Sequence, residues 1–153
     1  RELVLLLARL ERLNEAVVTE VCARHGLTPS ELRVLVALDL SEGAALRPTT
    51  IGHWIVQTSG GLTATLRRLE ARALVTRAAD PQDGRGRLVV LTPPGAEVLA
   101  AALADLDRTY ERALGDTDQA AALHAVRALV AALERAERVP ATGPHLGTVL
   151  PPP

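Results

Sequence analysis

Residues 48–92 read PTTIGHWIVQTSGGLTATLRRLEARALVTRAADPQDGRGRLVVLT, and this stretch decides the fold. Its first part predicts a helix, because Ile51 and Ile55 are four residues apart and share one helix face. Residues 57–61 (QTSGG) end that helix and can cap the next one. The next helix has a single apolar face, formed by Leu62, Leu66 and Leu69.

The second part of the stretch predicts a β-hairpin. Two short runs, 74–76 and 88–91, are rich in the residue types of strands, and 46–47 can add a third strand. Residues 80–86 (DPQDGRG) are turn-forming types, so we expect a polar loop there. Helix, turn, helix and hairpin form the plan of a winged helix-turn-helix, whose second helix enters the DNA major groove. Its polar face carries Thr63, Arg67 and Arg68.

Two helices are predicted before this module. Residues 2–25 carry an apolar stripe that steps by three and four, formed by Leu3, Leu6, Leu7, Leu10, Leu13, Val17 and Val21. Gly26 closes this helix. Thr28 and Glu31 have the spacing of a capping box, which predicts a second helix that reaches about Leu40.

Two more helices are predicted after the module. One starts at Thr92 and reaches about Leu114, and the spacing of Asp116 and Gln119 predicts a cap for a last helix ending near Arg138. The winged module is too small to cover the apolar stripes of all the flanking helices. We therefore expect the helices at both chain ends to form a two-fold dimer interface.

These elements predict a mainly α protein with a small β wing. We expect a single domain over 1–139, in which 27–92 form the winged helix-turn-helix. Residues 1–26 and 93–139 are the predicted dimerisation helices, and 140–153 form a Pro-rich extended tail.

The charge is distributed unevenly along the chain. Residues 47–92 contain seven arginines and three acidic residues, a balance of +4, whereas the remainder carries −5. A basic module inside an acidic chain suits a local contact with phosphates, although uneven charge also arises by chance.

Other functions have little support in the sequence. The single cysteine, Cys22, excludes an internal disulfide and is a small buried residue or, as the alternative, a redox-sensing thiol. The four histidines are scattered, which predicts no metal site. We find no catalytic motif, so we expect no enzyme and no cofactor. No membrane-spanning run or signal peptide is visible, and a cytoplasmic protein is the default.

Four segments stand out as a combination, namely TSGGLT at 58–63, LEARALV at 69–75, DPQDGR at 80–85 and LTPPG at 91–95. In this order they resemble MarR-type transcriptional regulators over nearly the whole chain, residues 2–138. The resemblance implies a homodimer that binds a pseudo-palindromic operator of double-stranded DNA. It also implies repression that a small-molecule effector relieves.

The resemblance also implies which residues contact DNA. The recognition-helix positions that meet bases and phosphates are Thr58, Ser59, Gly60, Thr63 and Arg67. In the wing, Arg85 corresponds to an arginine that reaches the minor groove, and Asp83 to an acid that helps to hold it. Arg77 corresponds to a phosphate contact, and Arg68 and Arg87 belong to the same basic stripe. Asp80 and Asp83 orient Arg85 and Arg87 or, as the alternative, cap the turn.

Two positions depart from the pattern of these regulators. Gly84 replaces the first of two adjacent wing arginines, and Ala73 replaces a glycine that usually ends the recognition helix, so we expect a different turn there. The effector pocket would lie between the winged module and the dimer helices. Candidates for its lining are His25, Arg33, His53, Trp54 and Tyr110. Trp54 is equally compatible with a packing role.

The sequence therefore predicts a sequence-specific DNA-binding transcriptional regulator, a ligand-responsive repressor that acts as a homodimer. The alternative is a winged-helix module for protein interaction or ligand sequestration that does not bind DNA.

Overall fold

The computed structural model describes residues 1–55, 59–81 and 83–137. This part of the chain is mainly helical with a small sheet, which confirms the predicted fold class. In chain order the elements are α1 (Glu2–Arg24), α2 (Pro29–Asp39), a 3-10 helix (Glu42–Ala44), β1 (Ala45–Leu46), α3 (Pro48–Ile55), α4 (Ser59–Ala71), β2 (Val75–Asp80), β3 (Asp83–Leu91), α5 (Pro93–Leu114) and α6 (Gln119–Glu137). The predicted tail, 140–153, lies outside the described residues.

The strands form an antiparallel sheet in the order β1-β3-β2. The predicted loop over 80–86 was too long, because β2 extends to Asp80 and β3 already begins at Asp83. The register shifts at the tip: Ala79 is opposite Arg87, but Asp80 is opposite Asp83. The turn-forming residues thus lie within a paired but irregular hairpin, because a β-bulge bends a strand without ending its pairing.

The core is built around α2, which contacts α1, α3, α4, α5, β1 and β3. Its buried residues Leu32, Leu35 and Leu38 belong to one apolar cluster with side chains from these elements. These partners are Val21 of α1, Ile51 of α3, Leu62, Leu66 and Leu69 of α4, Val89 of β3, and Leu99 and Leu106 of α5. Full burial of one such side chain contributes about 1.5–3 kcal/mol. The periodic apolar positions of the sequence therefore hold α4 and the hairpin on a common scaffold.

Side-chain caps place the helix starts. The capping box of α2 is confirmed, since Thr28 accepts from the Glu31 backbone N–H at 3.2 Å and Glu31 accepts from that of Thr28 at 2.8 Å. The predicted role of Asp116 was wrong. Asp118 caps α6 instead, accepting from the Ala121 backbone N–H at 3.0 Å. The chain turns after α5 ends at Leu114, so α6 begins at Gln119, directly after Asp118.

Much of the predicted apolar stripe of α1 is not covered within one chain. Val21 is buried and Val17 is partly covered, but Leu3, Leu6, Leu10 and Leu13 are more than half exposed. Among the described residues, the large exposed hydrophobic side chains all lie on α1, α5 and α6. None of the described helices is long and apolar enough to cross a membrane.

Candidate nucleic-acid interface

The recognition helix α4 presents two different faces, as its sequence predicts. Its apolar face is buried in the core. Thr63 and Arg67 are exposed on the outer side, and a Cβ at Gly60 would meet no atom within 4 Å. Small residues at the start of the helix therefore leave room for another molecule to approach. The side chain of Ser59 and the whole of Thr58 lie outside the described residues.

Arg68 of α4 and Arg72, the residue directly after this helix, both donate to groups of the protein. Arg68 Nε donates to Oε1 of the buried Glu31 at 2.9 Å. Arg72 Nη1 donates to the backbone oxygen of Gly26 at 2.6 Å, at the end of α1. Arg68 was predicted to belong to the DNA-contacting set, and in the structure its half-exposed guanidinium pairs with Glu31 of α2.

Two further arginines of the basic segment, residues 47–92, are paired near the wing. Arg47 Nε donates to Oδ2 of the buried Asp80 at 2.6 Å, and this hydrogen bond raises the pKa of Arg47. Arg77 donates to Glu70, which joins β2 to α4. Asp80 thus anchors the tip of the hairpin to Arg47. Neither of the two roles predicted for Asp80 includes this contact. Arg77, a predicted phosphate contact, is likewise held by an acidic neighbour.

The remaining arginines of this segment are different. Arg67 and Arg87 are exposed, and neither has an ion-pair partner among the described residues. Both face solvent and are available to a negatively charged ligand. The side chain of Arg85 lies outside the described residues, although its backbone belongs to β3.

Close packing shapes the wing next to Arg85. A Cβ on Gly86 would lie 3.0 Å from Cβ of Asp80 and 3.2 Å from Cβ of Asp83. The two aspartates therefore converge on a position that accepts no side chain without a shift. Asp83, the acid predicted to hold the wing arginine, is exposed beside this contact.

The end of the recognition helix is a Schellman-type turn. Leu74 N–H donates to the Leu69 oxygen at 3.0 Å, and Ala73 N–H donates to the Glu70 oxygen at 2.9 Å. Ala73 itself has φ +55°, the left-handed conformation that favours glycine. The different turn that we expected from this alanine is not found, because the hydrogen bonds on both sides impose the conformation despite its side chain.

Replacing Ala73 by glycine is expected to stabilise the protein by about 0.5–1 kcal/mol. Glycine relieves the left-handed strain, which costs roughly 1–2 kcal/mol, but it loses part of this gain through greater freedom in the unfolded chain. Thermal unfolding measures the effect. The control is Ala71→Gly in the last turn of α4, which is expected to destabilise by about 1 kcal/mol because that position is helical. The prediction would be contradicted if both substitutions raised the free energy of unfolding, or if both lowered it.

The five predicted pocket residues are distributed over separate contacts. His25 Nε2 is 3.3 Å from Oδ2 of Asp105, Arg33 pairs with Glu15, and Tyr110 donates to Asn14. Burial raises the pKa of Tyr110. The other two, His53 and Trp54, are on α3, exposed and half-buried respectively. No hydrogen bond or ion pair among the described residues joins the α3 pair to the other three.

A concavity of the surface lies away from these five residues. An open groove of about 650 Å³ runs along α1 between Ala8 and Glu20, and none of the five predicted residues lines it. Cys22 is fully buried, in agreement with its predicted role as a small buried residue, and burial raises the pKa of its thiol. Within the described residues, no three acidic, histidine or cysteine side chains are grouped so that they could hold a metal ion.

The fold and the exposed face of α4 define a winged helix-turn-helix protein. Comparison with known proteins agrees: residues 25–86 match the model of the MarR family. The transcriptional regulator HosA of Escherichia coli O111:H- is 45% identical over 60 residues, which cover 39% of this chain and 44% of HosA. The chain spans about half the length of the curated relatives it matches, 44% and 58%.

Solved structures extend the likeness beyond the winged module. A MarR family transcriptional regulator from Streptomyces coelicolor is 27% identical, with a TM-score of 0.69, and the match covers 90% of this chain and 91% of that one. A second regulator from the same organism, solved in complex with DNA, is 26% identical, with a TM-score of 0.67 and coverage of 82% and 81%. The chain described here is therefore similar to MarR family regulators, and the family model covers residues 25–86 of it.

Proposed function

We propose that the protein is a sequence-specific DNA-binding transcriptional regulator and not an enzyme. The observation that carries the proposal is that some arginines of the basic segment are bound by groups of the protein, whereas others are exposed to solvent. Arg68, Arg72 and Arg77 are held by groups of the protein, whereas the exposed Arg67 shares the outer face of α4 with Thr63. Arginine and short hydroxyl side chains are suited to phosphates and base edges in the major groove. A structural neighbour of this chain was solved in complex with DNA, which supports DNA binding.

The contact set that we propose is smaller than the sequence suggested. From the recognition helix it contains Thr58, Ser59, Gly60, Thr63 and Arg67, and from the wing Asp83, Arg85 and Arg87. Arg68 and Arg77 act inside the protein, since a guanidinium bound to a carboxylate is already neutralised. The members at 58, 59 and 85 rest on the family pattern, because their side chains lie outside the described residues.

We also propose that the regulator is a homodimer with a two-fold axis. Leucine and valine side chains at i, i+3, i+7 and i+10 are exposed on both terminal helices. They are Leu3, Leu6, Leu10 and Leu13 on α1, and Leu123, Val126, Val130 and Leu133 on α6. Apolar stripes of this kind mark protein interfaces. Such a dimer would bind a pseudo-palindromic operator, with half-sites about one helical turn apart. A monomer mass in sedimentation equilibrium at micromolar concentration would contradict this arrangement.

Repression that a small effector relieves, from a cytoplasmic location, completes the proposal. It rests on the likeness to the MarR family, since no hydrogen bond or ion pair among the described residues joins the five candidate pocket residues. A thermal-shift screen of small organic ligands tests it, because a ligand that binds the folded state raises the unfolding temperature.

DNA binding is tested by a gel shift with a duplex that the protein selects from a random-sequence pool. The affinity of the wild type is expected to fall steeply with salt, because phosphate contacts release counterions. Arg67→Ala is expected to weaken binding roughly tenfold and to reduce the salt slope by about one. Arg85→Ala is expected to weaken it as well, through the minor groove.

Arg112→Ala serves as the matched control for these substitutions. It removes an exposed arginine of α5 that lies outside the basic segment, so binding should not change. Failure of the wild type to enrich or shift any duplex at low salt would favour the alternative function, a winged-helix module without DNA binding. The observation that favours this alternative is that four arginines of the basic segment are bound by groups of the protein.

A further inference from the structure

Glu31 is a buried acidic residue with more partners than its local role requires. Its side chain is 4% exposed, and each carboxylate oxygen has a different task. Oε2 accepts from the Thr28 backbone N–H at 2.8 Å and completes the capping box of α2. Oε1 accepts from Arg68 Nε at 2.9 Å, on a helix thirty-seven residues further along the chain.

The capping box does not explain why this residue is charged. Glutamine at the same position satisfies a capping box equally well and avoids the cost of burying a charge. A buried carboxylate persists when a cation and further hydrogen bonds compensate it. Arg68 supplies that compensation, and Arg72 Nη1 lies 4.0 Å from Oε2. The charge on Glu31 therefore serves the contact with α4.

The contact holds α4 at its C-terminal end. Arg68 lies in the last turn of α4 and Arg72 directly follows the helix, and Arg72 also donates to the Gly26 oxygen. Because residues in a helix follow one another at about 100°, fixing one side of α4 fixes the direction of every other side chain. The exposed residues Thr63 and Arg67 thereby have a defined orientation relative to α2.

We propose that Glu31 is a positioning residue for DNA recognition, which sets the rotation of the recognition helix by holding Arg68 and Arg72. In this role Arg68 makes no phosphate contact of its own. The inference rests on the proposed function, because it concerns how the DNA-reading face of α4 is aimed. It goes beyond that function by assigning part of the affinity to a buried residue of α2.

Glu31→Gln separates positioning from charge, because the two effects have opposite signs. The substitution keeps the capping hydrogen bond and removes a negative charge close to the DNA-binding face. By electrostatics alone it would tighten binding to DNA and steepen the salt slope. If Glu31 aims the helix, the affinity for the selected duplex instead falls roughly tenfold, the size of coupling usual within one hydrogen-bonded network.

Arg68→Ala and the double variant complete a cycle on the same duplex. Arg68→Ala is expected to weaken binding by about the same factor as Glu31→Gln without changing the salt slope, and the double variant to be no weaker than either single one. Far-ultraviolet circular dichroism below the unfolding transition shows that each variant is folded. Arg68 is half exposed, so its substitution tests the inference even if Glu31→Gln does not fold.

Several outcomes would overturn the inference. They are tighter or unchanged binding by a folded Glu31→Gln variant, a salt slope reduced by about one in Arg68→Ala, and losses that add in the double variant. Arg67→Ala, measured beside them, separates this failure from that of the proposed function. A wild type that binds DNA and loses affinity with Arg67→Ala upholds DNA binding even where the cycle shows no coupling.

Discussion

Replacing Gly95 by alanine is expected to lower the free energy of unfolding by about 3 kcal/mol and the unfolding temperature by roughly 10 °C. Gly95 is buried in the first turn of α5, and an added Cβ would lie 2.1 Å from the Leu74 backbone oxygen and 2.9 Å from Cδ1 of Leu91. A backbone atom cannot rotate away as a flexible side chain can. The helix start or the end of α4 would have to move.

Neither side of this contact can move without loss. The Leu74 oxygen accepts from the Thr92 N–H at 3.2 Å, and the Thr92 hydroxyl donates to the Ala73 oxygen at 2.7 Å while it caps α5. The LTPPG segment therefore joins the end of the recognition helix to the start of a predicted dimerisation helix. Displacing Gly95 would disturb both.

Chemical denaturation followed by circular dichroism measures the effect of Gly95→Ala. Gly60→Ala is the matched control, since a Cβ at that helical position meets no atom within 4 Å. It should leave stability unchanged or raise it by up to about 1 kcal/mol. Similar unfolding midpoints for Gly95→Ala and the wild type would show that the joint between α4 and α5 yields easily.

Replacing Glu31 by alanine is expected to destabilise the protein by about 2 kcal/mol at neutral pH, because it removes the charge-assisted hydrogen bond from Arg68. The loss of the capping box adds to the cost. Glu97→Ala on the exposed surface of α5 is the control and should stay within about 0.5 kcal/mol of the wild type.

The pH dependence of this difference identifies the charge as its source. Burial raises the pKa of Glu31, but hydrogen bonds from the Thr28 backbone and the Arg68 side chain outweigh it, so the pKa lies below the usual value of a glutamate. A carboxyl group with a lowered pKa stabilises the fold fully above its unfolded pKa of about 4.3 and loses this contribution as the pH falls through the folded pKa. The gap between wild type and Glu31→Ala should thus shrink under acidic conditions. A gap that widens towards acid would refute an ionised Glu31.

Local patterns in the sequence predicted most of the secondary structure. The capping residues Thr28 and Thr92 mark helix starts because their hydroxyls satisfy backbone groups within three residues. The buried face of α4 follows from helical spacing. Errors arose where two local solutions compete, as at Asp116 and Asp118, or where backbone pairing overrides residue type, as in β3 from Asp83 onward.

The individual roles of the arginines could not be predicted in this way. Arg67 and Arg68 are adjacent, and the same stripe of positive charge contains both. Their difference depends on Glu31, and that of Arg47 on Asp80, thirty-three residues away. No local signal marks such partners, because a side chain pairs with whatever the packing of distant elements brings within reach.

By itself, the sequence determined the class of protein. Periodic apolar residues and capping signals act over a few residues, so PTTIGHWI, GLTATLRRLE and the hairpin that follows them specify a winged helix-turn-helix without further information. Only the tertiary structure decided which positive charges face outward, that Ala73 adopts a left-handed conformation, and that Gly95 must be a glycine. These depend on atoms far apart in the chain, whose positions are set when α2 gathers the other elements around it.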